Sequence, residues 1–386
     1  MNPLYGQMPV SIFERMSLAA ARHGAVNLGQ GFPDFGWPEA VVEAAARFLR
    51  EASNQYAPSR GLPALREAVA AHYGRQHGSE LGADHVVVTS GATEALAAAI
   101  LALVEPGDEV IVMTPAYDAY MPLIRRAGGV VREVALRPPE WRVGADALRS
   151  VVSARTRAIV FNNPHNPTGR LFEREELEAV AAVAREHDLL VISDEVWEHV
   201  LLDGAEFVPL AALPGMAGRV LKCGSAGKIF SLTGWKVGWL VADPELASVV
   251  ARAHQFLTFA TPPNLQAAVA LGMSEGDEWL PAMRERFTRA RDQTVRGLEQ
   301  AGYRLLPSAA TYFQCVDLPA SGIALDDERF AALAVERAGV AVIPLSPFFE
   351  EAPVRSMIRL CFAKRDETLD AGLAALARAR TLAAGG

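Results

Sequence analysis

The chain has 386 residues, 51% apolar and 21% charged, with a net charge of -8. That length exceeds one small core and predicts two domains. The acidic balance argues against a nucleic-acid partner, and the longest apolar runs, such as Leu96 to Val104, fall short of the ~18 residues that span a bilayer.

No basic stretch followed by an apolar core opens the chain, so no secretory signal is expected, and the first 35 or so residues read as irregular. From there strand-like and helix-like segments alternate. Val86 to Thr89 reads as a strand and Ala92 to Leu103 as an alanine-rich helix. Glu109 to Met113 and Arg157 to Phe161 are strands, and Glu173 to His187 is a helix. Leu189 to Ser193, Val220 to Cys223 and Val237 to Val241 are strands. β-Branched strands separated by helices predict an α/β fold, a mostly parallel sheet covered on both faces. Reactive groups in such sheets collect in loops at the carboxyl ends of strands. After about residue 280 a long charged helix, Pro281 to Ala301, leads to short strands at Thr311 to Val316, Val340 to Pro344 and Ser356 to Phe362, and then a last alanine-rich helix. The expected division is 1–40 and 281–386 as a discontinuous smaller α+β domain around a large domain at 41–280.

Four segments at strand ends carry candidate chemistry. Ser90-Gly91-Ala92-Thr93 opens a helix; small residues at a helix N-terminus make either an ordinary helix start or an anion site, since free N–H groups and the dipole point outward. Asn162-Asn-Pro-His-Asn166-Pro-Thr-Gly169 is a rigid turn, and Asn166 between two prolines either only turns the chain or presents its amide to a ligand. Asp194 closes an apolar strand, either as a helix cap or as a buried carboxylate facing a cationic ring nitrogen. The fourth segment, Cys223-Gly-Ser225-Ala-Gly-Lys228-Ile-Phe-Ser-Leu-Thr-Gly-Trp-Lys236-Val-Gly-Trp239, brackets one lysine with small residues and hydroxyls. A planar ligand can approach such a backbone, Ser225 and Lys236 can hold a phosphate, and the Lys228 amine suits Schiff-base formation with an aldehyde cofactor, which suggests pyridoxal phosphate. Farther on, Arg359 sits in the apolar run Ser356-Met-Ile-Arg-Leu-Cys-Phe362, either at a wet edge or as a partly buried fork for a carboxylate.

Other patterns are discounted. Ser225-Ala-Gly-Lys228 matches Ser-x-x-Lys of acyl-enzyme proteins, but the accompanying motifs are missing. Gly29-Gln-Gly31 lacks a dinucleotide context. The eight histidines show no metal spacing, so no metal is expected. Cys223, Cys315 and Cys361 are few and widely spaced, which fits a reducing cytoplasm.

Taken in order, these segments resemble the class I/II aminotransferases, the fold-type-I pyridoxal phosphate enzymes, and most closely their kynurenine/glutamine and methionine branch. The resemblance spans nearly the whole chain and rests on Val26-Asn-Leu-Gly-Gln-Gly-Phe-Pro-Asp34, Asn54-Gln-Tyr-Ala-Pro58, Gly91-Ala-Thr-Glu-Ala-Leu96, Pro115-Ala-Tyr-Asp118, Asn163 to Gly169, Ser193-Asp-Glu-Val196, the lysine segment and Ile358 to Lys364. It implies a seven-stranded, mostly parallel sheet and a ping-pong exchange of an amino group between an L-amino acid and a 2-oxo acid. It implies that Lys228 carries the cofactor and shuttles the proton, and that Asp194 pairs with the ring nitrogen. Asn166 would bond the ring oxygen, Tyr117 would stack on the ring, and Gly91, Ala92, Thr93, Ser225 and Lys236 would hold the phosphate. Arg359, with Asn166 and the backbone of Gly31, would bind the substrate α-carboxylate. Phe13 and Phe259 would line the side-chain pocket, favouring aromatic, methionine-like or glutamine-like substrates. Tyr56 would reach the phosphate of a neighbouring subunit, which implies a homodimer with shared sites. Arg60 would either be a solvated loop charge or, from the partner subunit, hold a second carboxylate, as a succinylated diamino acid requires. One position departs from the family: the tyrosine that usually follows Asp-Glu-Val is Trp197, which either donates to the ring oxygen from a shifted position or leaves Asn166 as the main donor. Rival readings are a cysteine-conjugate or cystathionine-type β-lyase and a non-catalytic effector sensor.

Overall fold

The computed structural model describes residues 2–77, 80–274 and 279–384. Seven strands form one twisted sheet in the order Val86–Thr89, Gly238–Val241, Val220–Ser225, Leu190–Asp194, Thr156–Asn162, Glu109–Thr114, Val130–Ala135. All neighbours run parallel except Gly238–Val241, which is antiparallel to both strands beside it. Val86–Thr89, Glu109–Thr114 and Gly238–Val241 are buried along their whole length, and the other inner strands are buried except at an end, as β-branched runs without alternation require when helices cover both faces. The edge strand Val130–Ala135 is more exposed and carries Arg132 and Glu133; that mixed pattern hid it from the sequence reading.

Helix Ala92–Leu103 and helix Pro244–Gln255 pack one core layer against the sheet, while Glu39–Glu51, Pro63–His77 and Pro263–Ser274 close a second. A third and larger core runs from helix Arg174–Glu186 into the C-terminal part of the chain. There a four-stranded antiparallel sheet, ordered Ile343–Pro344, Met357–Cys361, Phe313–Asp317, Arg304–Leu305, sits with the long helices Trp279–Gln300 and Asp366–Ala384.

The N-terminal segment corrects one expectation. It is not irregular: Pro3–Gln7 and Ile12–His23 are helices. Ser11 caps the second by accepting a hydrogen bond from the Phe13 N–H, and Gly24 ends it in the left-handed region at φ 60°. Ile12, Met16 and Ala20 form its buried stripe. Val26–Asn27 then pairs in parallel with Val340–Ala341, which ties the start of the chain to its end.

Candidate active site

The carboxyl ends of the sheet strands open into a cleft with about 710 Å³ of empty space, part of it open solvent. Gly91, Ala92, Thr93, Tyr117, Asn166, Asp194, Trp197, Ser225, Lys228 and Lys236 all line it. Segments more than 140 positions apart in sequence thus meet because they follow strands that end on the same edge of the sheet or, for Lys236, precede the antiparallel strand Gly238–Val241 that starts there.

At one end lies the start of helix Ala92–Leu103. Gly91 precedes it at φ 76°, a conformation that favours glycine, and a β-carbon there would stand 3.1 Å from Lys236 Cε and Nζ. The opening N–H groups of a helix have no intrahelical acceptor, so Ala92 and Thr93 present donors beside the Lys236 ammonium and the Ser225 hydroxyl. Gly238 makes this closeness possible: a β-carbon there would lie 2.6 Å from Ala92 N and 2.6 Å from Gly91 C. Gly238→Ala is therefore expected to push the helix start outward, to cost ~1–3 kcal/mol of overpacking, and to weaken phosphate binding. Titration of the protein with the phosphorylated cofactor and with its dephosphorylated form checks this, because only the first should lose affinity.

At the other end Asp194 is buried, and desolvation raises its pKa. Its Oδ2 accepts from the Tyr120 hydroxyl at 2.6 Å. Oδ1 accepts only a long contact of 3.4 Å from the Val196 N–H, and turns rather than a helix follow, so Asp194 caps no helix. Sequence reasoning missed Tyr120, because an aromatic residue opening a short helix looks like ordinary core. Tyr117 meets Tyr120 edge to face at 5.7 Å, and its hydroxyl lies 3.5 Å from Thr93 Oγ1.

Between these ends stands Lys228. Burial lowers its amine to about 8, with Arg359 and Lys236 adding to the shift and Asp194 opposing it. Nζ sits 4.5 Å from the centre of the Trp197 ring and 3.1 Å from the Tyr312 hydroxyl. Trp197 thus presents its face to the amine, and its indole N–H makes no hydrogen bond among the described residues. Tyr312 was also missed by sequence reasoning; it is fully buried in the C-terminal part of the chain.

Arg359 is 1% exposed, which rules out the wet-edge reading. Nη1 donates to Asn166 Oδ1 at 2.9 Å and Nη2 to the Gly29 carbonyl at 2.8 Å. Nε has no acceptor, and no carboxylate pairs with the guanidinium among the described residues. Desolvation pulls its pKa down to about 10. Phe313 lies 3.9 Å beneath it, with Phe13 at 5.2 Å and Phe348 at 5.6 Å. A buried charge without a counter-ion costs several kcal/mol, so this arrangement is built for an anion supplied from outside. In the same segment the Gly29 carbonyl holds Arg359, and the Gly31 carbonyl accepts from the Tyr312 hydroxyl at 2.8 Å.

Three candidates stand apart from the cleft. Tyr56 is 87% exposed and meets Phe259 edge to face at 5.5 Å, so neither lines this chain's own cavity. The Arg60 guanidinium donates to the Asp84 carbonyl at 2.6 Å. Asp84 precedes strand Val86–Thr89, at the end opposite Gly91, so Arg60 points away from the cleft of its own chain.

The cleft fits pyridoxal phosphate on these observations. It has a phosphate cradle that a single β-carbon at Gly91 would fill, a desolvated carboxylate with no ion pair among the described residues, and a primary amine between the two. The fold and the site define a class of enzyme, and sequence comparison agrees: the family model for aminotransferase class I and II matches residues 23–376, and the chain belongs to that family. It is an aminotransferase. Among its relatives, a probable N-succinyldiaminopimelate aminotransferase, DapC, of Mycobacterium tuberculosis is 42% identical over 372 residues, covering 93% of this chain and 94% of the relative. The methionine aminotransferase of Escherichia coli is 40% identical over 377 residues, covering 97% of each. The solved structure of the N-succinyldiaminopimelate aminotransferase from Mycobacterium tuberculosis superposes with a TM-score of 0.95 at 41% identity, covering 98% of this chain and 100% of that one.

Proposed function

We propose that this cleft holds pyridoxal phosphate on Lys228 and moves the amino group of an L-amino acid to a 2-oxo acid in two half-reactions. The observation that carries the reading is the buried Arg359 guanidinium, with no carboxylate partner among the described residues, near the Lys228 amine that shares the cleft with the Asp194 carboxylate. When bound, the cofactor's protonated ring supplies a sink for the electron pair left by loss of the substrate's α-proton. Gly91, Ala92, Thr93, Ser225 and Lys236 hold its phosphate, and Asp194, kept in place by Tyr120, holds the positive charge on the ring nitrogen. Asn166 commits Oδ1 to Arg359, which leaves its amide N–H₂ to donate to the ring oxygen. Tyr117 covers the ring. Arg359 fixes the substrate α-carboxylate, which orients the α-C–H bond toward Lys228. The Lys228 Nζ takes that proton and returns it; a pKa near 8 keeps both of its forms accessible near neutrality.

The aromatic wall around Arg359, with Phe13, Phe313 and Phe348, supports aromatic and thioether side chains, in keeping with the methionine aminotransferase relative. The DapC relative supports a second reading, a substrate with a distal carboxylate. That reading requires a further cation, and Arg60 is turned toward Asp84. Arg60→Ala is expected to leave the ratio of kcat/KM for dicarboxylic and aromatic amino donors unchanged, which parallel assays of glutamate and phenylalanine check.

The same proposal takes the homodimer as the active unit. Tyr56 and Phe256, 87% and 85% exposed, together with Phe259, form an aromatic surface suited to a second copy, from which Tyr56 and Phe259 would complete the neighbouring site. It takes 41–280 as the cofactor-binding domain and 1–40 with 281–386 as the smaller one. It also places the enzyme in the cytoplasm, supported by three buried free cysteines; among the described residues no helix is long and apolar enough to cross a membrane.

The test mixes the yellow protein with single amino acids and no oxo acid. Replacement of the long-wavelength cofactor band by the band of the aminated cofactor, with one equivalent of 2-oxo acid released, is the expected result. Continued release of pyruvate and ammonia from a cysteine conjugate, with the original band retained, would move the assignment to a β-lyase.

A further inference from the structure

In a family that usually carries a tyrosine at position 197, Trp197 leaves the lysine facing an indole. Indole offers one N–H donor and no acceptor, and here it turns its face, not its N–H, to Lys228 Nζ, 4.5 Å from the ring centre. The hydrogen bond recorded for Nζ goes instead to Tyr312, at 3.1 Å. We propose that Tyr312 is a positioning residue for the proton transfer: its hydroxyl accepts a hydrogen bond from the Lys228 amine and fixes where the free amine stands, over the face of Trp197.

The direction of this hydrogen bond follows from its neighbours. A phenol has one O–H to donate and lone pairs to accept. The Tyr312 proton is directed at the Gly31 carbonyl, 2.8 Å away, so toward Lys228 the oxygen acts as acceptor. Burial pushes the Tyr312 pKa well up, so the phenol keeps its proton throughout the working range. An acceptor at this place serves both forms of the lysine. The neutral amine spends one N–H on Tyr312 and keeps its lone pair free for the α-proton; the ammonium spends the same N–H and holds the proton it has taken. A hydroxyl free to donate would instead occupy the lone pair and weaken the base. Trp197 acts in the same sense, because a cation within about 6 Å of an indole centre is stabilised over the neutral form. Trp197 and Tyr312 meet edge to face at 4.5 Å, so one wall holds both contacts.

The anchor of Tyr312 matters as well. Gly29 and Gly31 belong to one short segment; the first receives Arg359 and the second receives Tyr312. A β-carbon at Gly31 would lie 2.7 Å from the Phe313 ring, so the segment is pressed against the strand that carries Tyr312. The carboxylate-binding cation and the waiting amine are thereby referred to the same piece of backbone.

This inference rests on Lys228 being the reactive lysine, so its test separates the two. Tyr312→Phe removes one oxygen and keeps the ring; Trp197→Leu removes the π face. The readout besides turnover is the acid-base behaviour of Lys228 in the cofactor-free protein, followed as the pH dependence of its carbamylation by cyanate and located by peptide mass spectrometry. Each variant is expected to lower the Lys228 pKa, Tyr312→Phe by about one unit, because each removes stabilisation of the ammonium. In the loaded enzyme Tyr312→Phe is expected to lower kcat about tenfold with KM for the amino acid little changed, while the cofactor absorbance and thermal midpoint stay close to wild type. A Lys228 titration and a kcat that both match wild type in Tyr312→Phe would overturn the proposal, and so would a loss confined to KM. Should Tyr312→Phe fail to fold, an unshifted Lys228 titration in Trp197→Leu would overturn it. Lys228→Arg is the control: retention of the lysine-dependent absorbance there would refute the reading of Lys228 itself.

Discussion

Lys228→Ala is expected to lower turnover by at least ~10⁴-fold, since proton transfer by a positioned group alone contributes up to about that factor and the covalent anchoring of the cofactor is lost with it. The loss should appear in kcat at saturating amino acid, because the phosphate cradle and Arg359 are untouched and substrate can still be held. The cofactor should bind more weakly but still bind, through Ala92, Thr93, Ser225, Lys236 and Asp194. Small primary amines added to the variant should restore part of the rate, with the greatest effect from those that fit the space vacated beside the Trp197 and Tyr312 rings. Pre-steady-state absorbance with and without added amine checks this. Turnover within a few-fold of wild type would remove Lys228 from the chemistry.

Arg359→Ala is expected to reduce kcat/KM for amino acids by about 10²–10³-fold, the ~3–4 kcal/mol associated with truncating one partner of a buried, hydrogen-bonded charge pair. Much of the effect should fall on KM, because the carboxylate contact exists before the transition state. A further part should fall on kcat, because the contact also orients the α-C–H bond. Arg359→Lys should recover little, since an ammonium cannot present the planar fork, and the Asn166 and Gly29 acceptors are spaced for a guanidinium. The decisive comparison is a primary amine that lacks a carboxylate: its slow reaction should be equal in wild type and variant. An equal fractional loss for amine and amino acid would show that Arg359 supports the fold rather than the substrate.

The large sheet was legible because its central strands are uniform apolar runs closed by glycine, proline or acidic residues, and the loops after them are where the cleft forms. The ten cleft residues named from Gly91 to Lys236 were found through those strand ends. Where the pattern was mixed, reading failed. Val130–Ala135 alternates charge and apolar groups on a sheet edge. The helix Ile12–His23 was overlooked although Ser11 and Gly24 mark both of its ends. Tyr120 and Tyr312 carried no local signal, since a buried tyrosine reads as core until a partner for its hydroxyl comes into view. Gly29 was missed for a similar reason: its role is a carbonyl, which every residue possesses. The strand pattern alone favoured a wet edge for Arg359, and three-dimensional packing decided against it, since both strands beside Met357–Cys361 are short and covered. Tyr56 and Phe259 meet each other outside the cavity of their own chain, and only the resemblance of Asn54-Gln-Tyr56 gave Tyr56 a role, in a second copy.

The central claim, that Lys228 carries the cofactor, is tested most directly by reducing the yellow protein with borohydride, digesting it and locating the cofactor's added mass. The expected result is one modified peptide containing Lys228, with the modification abolished when amino acid is added before the reductant. Modification of Lys222, Lys236 or Lys364 instead, or none at all in protein that is visibly yellow, would contradict it.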